Sequence, residues 1–325
     1  MSGDAPLLVG VELGGTKAIV TLARDRQIID QTRWPTTTPA RTLAAMGEKL
    51  LEWHSRAPVA AIGIASFGPL HLDPHDPAFG HIGRTPKPGW TNADVLGHFR
   101  ALLPGLPTGI DTDVAGAGLA EGRWGAAQGC AVHIYITIGT GVGIGVVVDG
   151  KPVHGRIHPE AGHLRIRRVA GDSFGGICPF HGDCVEGLVS GPALAARAGS
   201  DPADLPADHP LWADVAADIG EMLAILILTL SPQRIVIGGG VGLGQQGLLV
   251  RARTHCADAL AGYLVDHAAA DMESLIVPAA LGNDAGPLGA ILIAKAALEK
   301  ADLAGRRMLA AATSTSTSTP LPASR

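Results

Sequence analysis

The 325-residue chain has the length of two ordinary domains and is too apolar to be disordered as a whole, since hydrophobic residues make up 46% of it and charged residues 17%. Lys and Arg number 25 against 30 Asp and Glu, so a net charge of −5 provides no broad basic surface and argues against nucleic acid as a partner. Four cysteines are too few for a disulfide framework. The N-terminus has no signal-peptide pattern, and the longest apolar run, Met222 to Leu230, is too short to span a bilayer. We therefore expect a cytoplasmic protein without a membrane partner, with a buried helix at that run.

In chain order, residues 7–34 predict a three-stranded meander, because glycine- and charge-rich turns separate short β-rich runs. Apolar residues at helical spacing predict a helix over 42–54, and the apolar run at 59–66 predicts a strand. A strand ending at Asp111, an Ala/Gly-rich helix over 114–124 and a second hairpin over 133–148 follow. The plan thus starts again near Cys130. A duplicated βββαβ unit indicates an α/β protein with the actin-like (ribonuclease H-like) ATPase fold, its two domains flanking a cleft.

We expect a small N-terminal α/β domain over 1–114 and a large α/β domain over 115–285. A C-terminal helix over about 286–300 is expected to pack back on the small domain. The last residues form a Ser/Thr/Pro tract without apolar periodicity, so we expect a disordered tail over 305–325.

Glycine clusters follow three strand-like runs, at 14–15, 139–143 and 238–242. One glycine turn in a hairpin is more often only a turn, but three at strand ends favour a nucleotide, because bare backbone N–H groups bind phosphate. A Rossmann loop is excluded because a strand, not a helix, follows Gly15, and the Walker A frame around Lys17 is missing. The pattern favours a β-hairpin phosphate loop in which Thr16 and Lys17 reach phosphate oxygens and Glu12 serves a hydrated magnesium ion.

Polar residues suited to chemistry occur at three further places, each with an alternative. Asp113 follows a strand end, where a carboxylate can act as a base, although the spacing alone favours capping of the next helix by Asp111, Thr112 or Asp113. Glu160 and His163, three residues apart, share a face on a helical turn or are simply solvated. The run Cys178-x-x-His181-x-x-Cys184, with His163 as a fourth donor, matches a closed zinc site or holds a reduced cysteine pair.

Several segments together resemble the sugar kinases of the ROK family, and within it the zinc-containing bacterial fructokinases. The segments are GVELGGTK (10–17), SFGPL (66–70), TPKPGW (85–90), DTDVAGAGLAEGRWGA (111–126), TIGTGVGIG (137–145), HPEAGH (158–163), CPFHGDCVEGLVSGP (178–192) and IVIGGGV (235–241). The family usually has Asp where this chain has Glu12, and Asn-Asp where it has Thr112-Asp113. Both variants resemble the fructokinase branch.

The resemblance implies that ATP phosphorylates D-fructose at its C6 hydroxyl, with Mg-ATP as the donor, a structural zinc ion and a homodimer. It makes Asp113 the catalytic base. It implies sugar contacts from Gly68, Pro69, Thr112, Glu160, His163 and Glu186. It implies nucleotide contacts from Glu12, Gly14, Gly15, Thr16, Lys17, Thr140, Gly141, Gly239 and Gly240. The zinc ligands it implies are His163, Cys178, His181 and Cys184.

Two histidines near the predicted metal site, His154 and His158, are interpreted as surface residues, and Cys130 and Cys256 as buried or spare thiols. A mannose or glucose kinase of the same family shares every motif. A sugar-responsive transcription repressor is less favoured, because only nine residues precede Gly10 and a helix-turn-helix domain needs more.

Overall fold

The computed structural model describes residues 5–245, 247–264 and 271–315. The strands are β1 Leu7–Leu13, β2 Lys17–Arg24, β3 Gln27–Pro35, β4 Ala61–Ser66, β5 Thr108–Thr112, β6 Val132–Ile138, β7 Val142–Val148, β8 Lys151–Pro152, β9 Arg234–Gly238 and β10 Ile276–Pro278. The α-helices are α1 Pro39–Arg56, α2 Val95–Leu102, α3 Asp113–Trp124, α4 Val185–Val189, α5 Gly191–Ala198, α6 Leu211–Leu230, α7 Gly240–Gly244, α8 Leu248–Leu260, α9 Met272–Leu275 and α10 Ala285–Thr315.

The first sheet has the strand order β3-β2-β1-β4-β5. The meander β1–β3 is antiparallel, whereas β4 and β5 run parallel to β1. β4 is buried along its whole length, because it has a neighbour on each side and helices cover the sheet, and its sequence is accordingly apolar throughout. The edge strand β3 is polar and mostly exposed. The predicted meander, helix and strand of this half are confirmed.

The second sheet has the order β10-β9-β6-β7-β8, which repeats the first sheet strand for strand. β6 pairs with β7 as an antiparallel hairpin and with β9 in parallel, as β1 does with β2 and β4. The duplication predicted to begin near Cys130 is therefore present. In both sheets the turn after the first strand lies at the same topological position, and both of these turns are glycine-rich.

The long helix α10 packs on the first sheet and on α3. Gly63 on β4 is a necessary glycine, since a Cβ there would lie 2.0 Å from the carbonyl oxygen of Ala290, and a Cβ on Gly289 would lie 2.2 Å from the backbone of Gly116 on α3. The domain boundaries at 114 and 285 stay predictions.

The predicted disordered tail is wrong over 305–315, where α10 continues to Thr315; this stretch is rich in Ala and other strong helix formers. The remainder of the predicted tail, 316–325, lies outside the described residues.

Each sheet has its own apolar core. α1 covers the first sheet with Leu43, Met46, Leu50 and Trp53, at the spacing that predicted the helix. α6 and α8 cover the second sheet. The predicted buried run 222–230 is buried only up to Ile227, because the last turn of α6 leaves the core and exposes Leu228 and Leu230. Among the helices of the described residues, none is both long and apolar enough to span a bilayer.

Candidate active site

A cleft of about 1270 Å³ is lined by the carboxyl-end turns of both sheets. All the residues predicted to bind sugar or nucleotide line this one cavity: Glu12, Gly14, Gly15, Thr16, Lys17, Gly68, Pro69, Thr112, Asp113, Thr140, Gly141, Glu160, His163, Glu186, Gly239 and Gly240. Of the four predicted metal ligands, His163 and His181 also line it. The structure thus brings together residues that are up to 228 positions apart in the chain (240 − 12).

Asp113 is the first residue of α3. The hydroxyl of Thr112, not a carboxylate, caps this helix by accepting a hydrogen bond from the Ala115 N–H at 3.1 Å. Asp113 accepts one bond, from the Val114 N–H at 2.9 Å, and burial raises its pKa to about 6. The Asp113 carboxyl group therefore does not cap the helix, and its pKa of about 6 is close to neutral pH, as a general base requires.

The first glycine turn joins β1 to β2. The Gly14 N–H donates to the Lys17 carbonyl at 2.9 Å, and the Thr36 hydroxyl donates to the Gly14 carbonyl at 2.7 Å. Glu12, near the end of β1, has its Oε1 4.0 Å from the Lys17 ammonium. Burial raises the pKa of Glu12 to about 7, against the opposing effect of Lys17, and its Oε2 has no hydrogen-bond partner among the described residues. An unpartnered buried carboxylate oxygen fits a position facing metal-bound water.

The second glycine turn joins β6 to β7 and has Thr140 at its exposed tip. Gly139 donates to the Gly141 carbonyl at 2.9 Å, and the Val142 N–H donates to Oε2 of Glu186 at 3.1 Å. A Cβ on Gly141 would lie 2.7 Å from that same Glu186 oxygen. Glu186 therefore supports the glycine turn as well as facing the cleft.

The third glycine cluster follows β9. Gly239 has a φ of 85°, and a Cβ there would lie 2.3 Å from the Ile138 carbonyl oxygen, so only glycine fits. A side pocket of about 560 Å³, lined by Pro192, Trp212 and Val241 among others, shares Gly240 and Gly244 with the cleft. An apolar recess beside a glycine turn suits a flat heteroaromatic ring.

Glu160 immediately precedes the 3-10 helix Ala161–His163, so the two polar side chains of this segment point to different partners. Burial raises the pKa of Glu160 to about 7, and the nearby carboxylates of Asp113 and Glu186 add to the shift. The His163 ring instead faces the cysteines, with Nδ1 3.4 Å from Cys184 Sγ. Glu160 and His163 therefore do not share one face of a helical turn, contrary to the prediction.

The predicted metal ligands His163, Cys178, His181 and Cys184 place one donor atom each within 4.8 Å of one another. Cys178 Sγ lies 3.7 Å from Nδ1 of His163 and 3.7 Å from Nδ1 of His181. With zinc–nitrogen bonds of ~2.0 Å and zinc–sulfur bonds of ~2.3 Å, a tetrahedral site has N···S edges of about 3.5 Å. The donor set and its spacing fit zinc.

A family model described as the ROK family matches residues 8–297. The chain belongs to the ROK family. It is 40% identical to a fructokinase of Pediococcus pentosaceus over 91% of this chain and 100% of that protein. It is 42% identical to a fructokinase of Zymomonas mobilis over 92% of this chain and 100% of that one.

Among solved structures, a ROK family glucokinase from Streptomyces griseus in complex with glucose and AMPPNP superposes with a TM-score of 0.67 at 25% identity, covering 89% of this chain and 99% of that one. The actin-like ATPase fold of this ROK protein is thereby confirmed.

The prediction that His158 is a surface residue is wrong. In this ROK protein His158 is buried, and its Nε2 accepts a hydrogen bond from the Leu70 N–H at 2.9 Å. His154 is partly exposed, and its Nε2 lies 3.1 Å from Asp111 Oδ1. The sequence does distinguish the two histidines, since His158 is the first residue of the HPEAGH segment and His154 lies outside that segment.

Glu121 on α3 was also missed. It is fully buried and accepts backbone N–H bonds from Ala126, Ala280 and Leu281, which ties down a loop that lines the cleft. Glu121 lies within the DTDVAGAGLAEGRWGA segment, but nothing in that segment assigned it a role.

Proposed function

We propose that this ROK protein is a fructokinase, which transfers the γ-phosphoryl group of Mg-ATP to the C6 hydroxyl of D-fructose. The observation that carries the proposal is that the Asp113 carboxyl group, at the start of α3, is not used to cap this helix and lies in a cleft that also contains the three glycine turns. Identity of 40–42% to two fructokinases over nearly the whole chain supports fructose as the acceptor.

Asp113 is the group that accepts the proton of the attacking hydroxyl. Its pKa of about 6 leaves it mostly ionised at neutral pH and close enough to that pH to exchange protons. Phosphoryl transfer depends mainly on positioning and charge stabilisation, so this single base is sufficient when the other groups align the reactants.

The acceptor sugar is held on the side of Asp113. Glu160 and Glu186 offer carboxylate oxygens to sugar hydroxyls, and the Gly68-Pro69 turn lies next to Glu160 in the same cleft. Thr112 lines this cleft as well, although its hydroxyl already caps α3. His163 faces the cysteines through Nδ1, which leaves only its other edge for a sugar contact.

The nucleotide phosphates are held by the glycine turns. Lys17 supplies a cation and Thr16 a hydroxyl at the first turn, and the turn around Thr140 and Gly141 supplies backbone donors. Glu12 faces the water shell of the magnesium ion that accompanies ATP, through its unpartnered oxygen. The adenosine lies by Gly239 and Gly240, where the apolar side pocket opens.

We propose a structural zinc ion bound by His163, Cys178, His181 and Cys184, because these donors fit tetrahedral coordination. Since four protein ligands fill the coordination sphere, the metal's role is to cross-link the loop that carries Glu160 and Glu186. We also propose a homodimer in the cytoplasm. Exposed leucines at the end of α6, Leu228 and Leu230, are compatible with a subunit contact.

Steady-state kcat/KM for ATP with D-fructose, D-mannose, D-glucose and N-acetylmannosamine tests the function. We expect D-fructose to give the highest value and fructose 6-phosphate as the product, identified by phosphorus–proton NMR. A higher value for mannose or glucose would reassign the acceptor while keeping the kinase chemistry. No phosphoryl transfer to any hexose would refute the proposal.

A further inference from the structure

His158 connects two segments that line the cleft. It is 6% exposed and lies on the segment that leads to Glu160, whereas its hydrogen-bond donor, Leu70, follows the Gly68-Pro69 turn after β4. A Cβ on Gly68 would lie 3.1 Å from His158 Cε1 and 3.3 Å from Glu160 Oε1. The turn, the imidazole and the carboxylate are therefore packed directly against one another.

The contacts of His158 fix its protonation. Because the Leu70 N–H donates to Nε2, that nitrogen must carry the lone pair, and the ring proton is on Nδ1. Nδ1 lies 3.4 Å from the Pro159 carbonyl oxygen and 3.5 Å from Glu160 Oε1. Burial lowers the pKa of His158, which favours the same neutral ring.

We infer that His158 is a positioning residue for the acceptor sugar: as the Nδ1–H tautomer, it sets the Gly68-Pro69 turn and the Glu160 carboxylate at a fixed separation. This inference rests on the proposed function, which makes Glu160 and the turn adjacent parts of the sugar site. His158 itself does not act as acid or base. Its loss is expected to weaken sugar binding and to leave nucleotide binding unchanged.

Two variants divide the contacts of the ring. His158→Gln keeps an acceptor near the position of Nε2 for the Leu70 N–H and loses the donor toward Glu160. His158→Asn keeps a donor near the position of Nδ1 and is too short to reach Leu70. Since the inference requires both contacts, each variant should raise KM for D-fructose about tenfold, the scale of one lost hydrogen bond, and change KM for ATP less than about twofold.

Two controls separate this role from a structural one. His133→Gln removes another buried imidazole. His133 lies at the end of β6 that is away from the glycine turn, and its ring bonds to the Gly118 carbonyl of α3. It should lower the thermal midpoint as the His158 variants do, with KM for fructose unchanged. His154→Gln changes a histidine on the same segment that pairs with Asp111 and does not line the cleft. It should also leave KM for fructose unchanged.

A second measurement uses the wild-type protein. Long-range nitrogen–proton NMR of histidine-labelled protein at pH 7.5 should show His158, assigned through backbone correlations, as the neutral Nδ1–H tautomer. An Nε2–H tautomer or a charged ring would overturn the inference even if the variants fail to fold. A wild-type KM for fructose in either folded His158 variant would overturn it as well.

The two proposals fail differently. If Glu160→Gln raises KM for fructose and the His158 variants do not, the positioning role is refuted and the fructokinase function stands. If the wild type phosphorylates no fructose, the proposed function is refuted. The tautomer measurement then still decides whether His158 joins the Gly68-Pro69 turn to Glu160.

Discussion

The nucleotide side of the cleft presents mainly bare backbone, whereas the sugar side presents half-buried carboxyl groups. Three glycine turns form the first side, together with Lys17. Asp113, Glu160 and Glu186 form the second. The two turns that follow β1 and β6 occupy equivalent positions in the duplicated sheets, yet only the second is supported by an acidic side chain, Glu186, from the sugar side.

This difference follows from the ligands. Phosphate oxygens are acceptors and bind to backbone N–H groups, which cost no side-chain ordering. Sugar hydroxyls are donors that carboxylates bind well, but burial raises the pKa of Asp113 to about 6 and that of Glu160 to about 7. Substitutions on the two sides should therefore separate the kinetic constants of the two substrates, except where Glu186 joins the sides.

The largest effect is expected at Asp113. Asp113→Asn should lower kcat by at least about 100-fold, because the hydroxyl loses its proton acceptor, while both KM values stay within about threefold. Asp111→Asn is the matched control two residues away, since Asp111 pairs with His154 and bonds to the Thr112 N–H. A normal kcat in Asp113→Asn would remove it from the role of base.

Gly141→Val tests where the two sides meet. A Cβ there would displace Glu186, so we expect KM for ATP and KM for D-fructose each to rise about tenfold. Gly155→Val is the control, because no atom of the described residues lies within 4 Å of its Cβ position. A rise in KM for ATP alone would show that Glu186 does not couple the two sides.

This prediction differs from the one that the sequence supports. From the glycine cluster alone, a side chain at Gly141 is expected to block phosphate and to affect mainly ATP. The pattern around residues 139–143 reveals a turn, but the neighbour of that turn is 45 residues further along the chain (186 − 141) and is brought there by α4 and the Cys/His loop. Contacts of this kind depend on tertiary packing, which local patterns do not encode.

The meander, the repeated sheet and the positions of Asp113 and Glu160 could be predicted, since alternation, glycine turns and motif spacing are local signals. His158 and Glu121 could not, because their burial results from segments distant in sequence, Leu70 and Ala280–Leu281. The prediction of disorder is wrong over 305–315, because it applied the Ser/Thr/Pro composition of the last residues to an Ala-rich stretch that extends α10 to Thr315.

Cys184→Ser should affect mainly the sugar side. We expect wild-type protein purified without added metal to contain about one zinc per chain by atomic absorption, and the variant to contain much less. KM for D-fructose should rise several-fold and KM for ATP by less, because Glu186 also supports the second glycine turn, and the thermal midpoint should fall. Cys256→Ser, which alters a buried thiol on α8, is the control for stability alone. Full zinc content in Cys184→Ser would argue against this ligand set.

The smallest effect concerns stability. The pKa of Glu12 is raised from 4.5 to about 7 in the folded protein, so the folded state holds an extra proton between these values. The contribution of this proton to the free energy of unfolding is fully present below pH 4.5 and is lost as the pH rises through 7. Without ATP and magnesium, Glu12→Gln should match the wild-type thermal midpoint at pH 5 and exceed it by a few degrees at pH 8. An equal offset at both pH values, or the same behaviour in the exposed control Glu48→Gln, would contradict this.

The pH dependence of kcat with D-fructose tests most directly whether ionised Asp113 is the base. In the wild type, kcat should fall as the pH decreases through about 6, because protonated Asp113 accepts no proton. In Asp113→Asn, the residual kcat should lose this step near pH 6 and keep only what Glu12 and Glu160 contribute near pH 7. The same step, at the same pH, in both proteins would contradict the assignment.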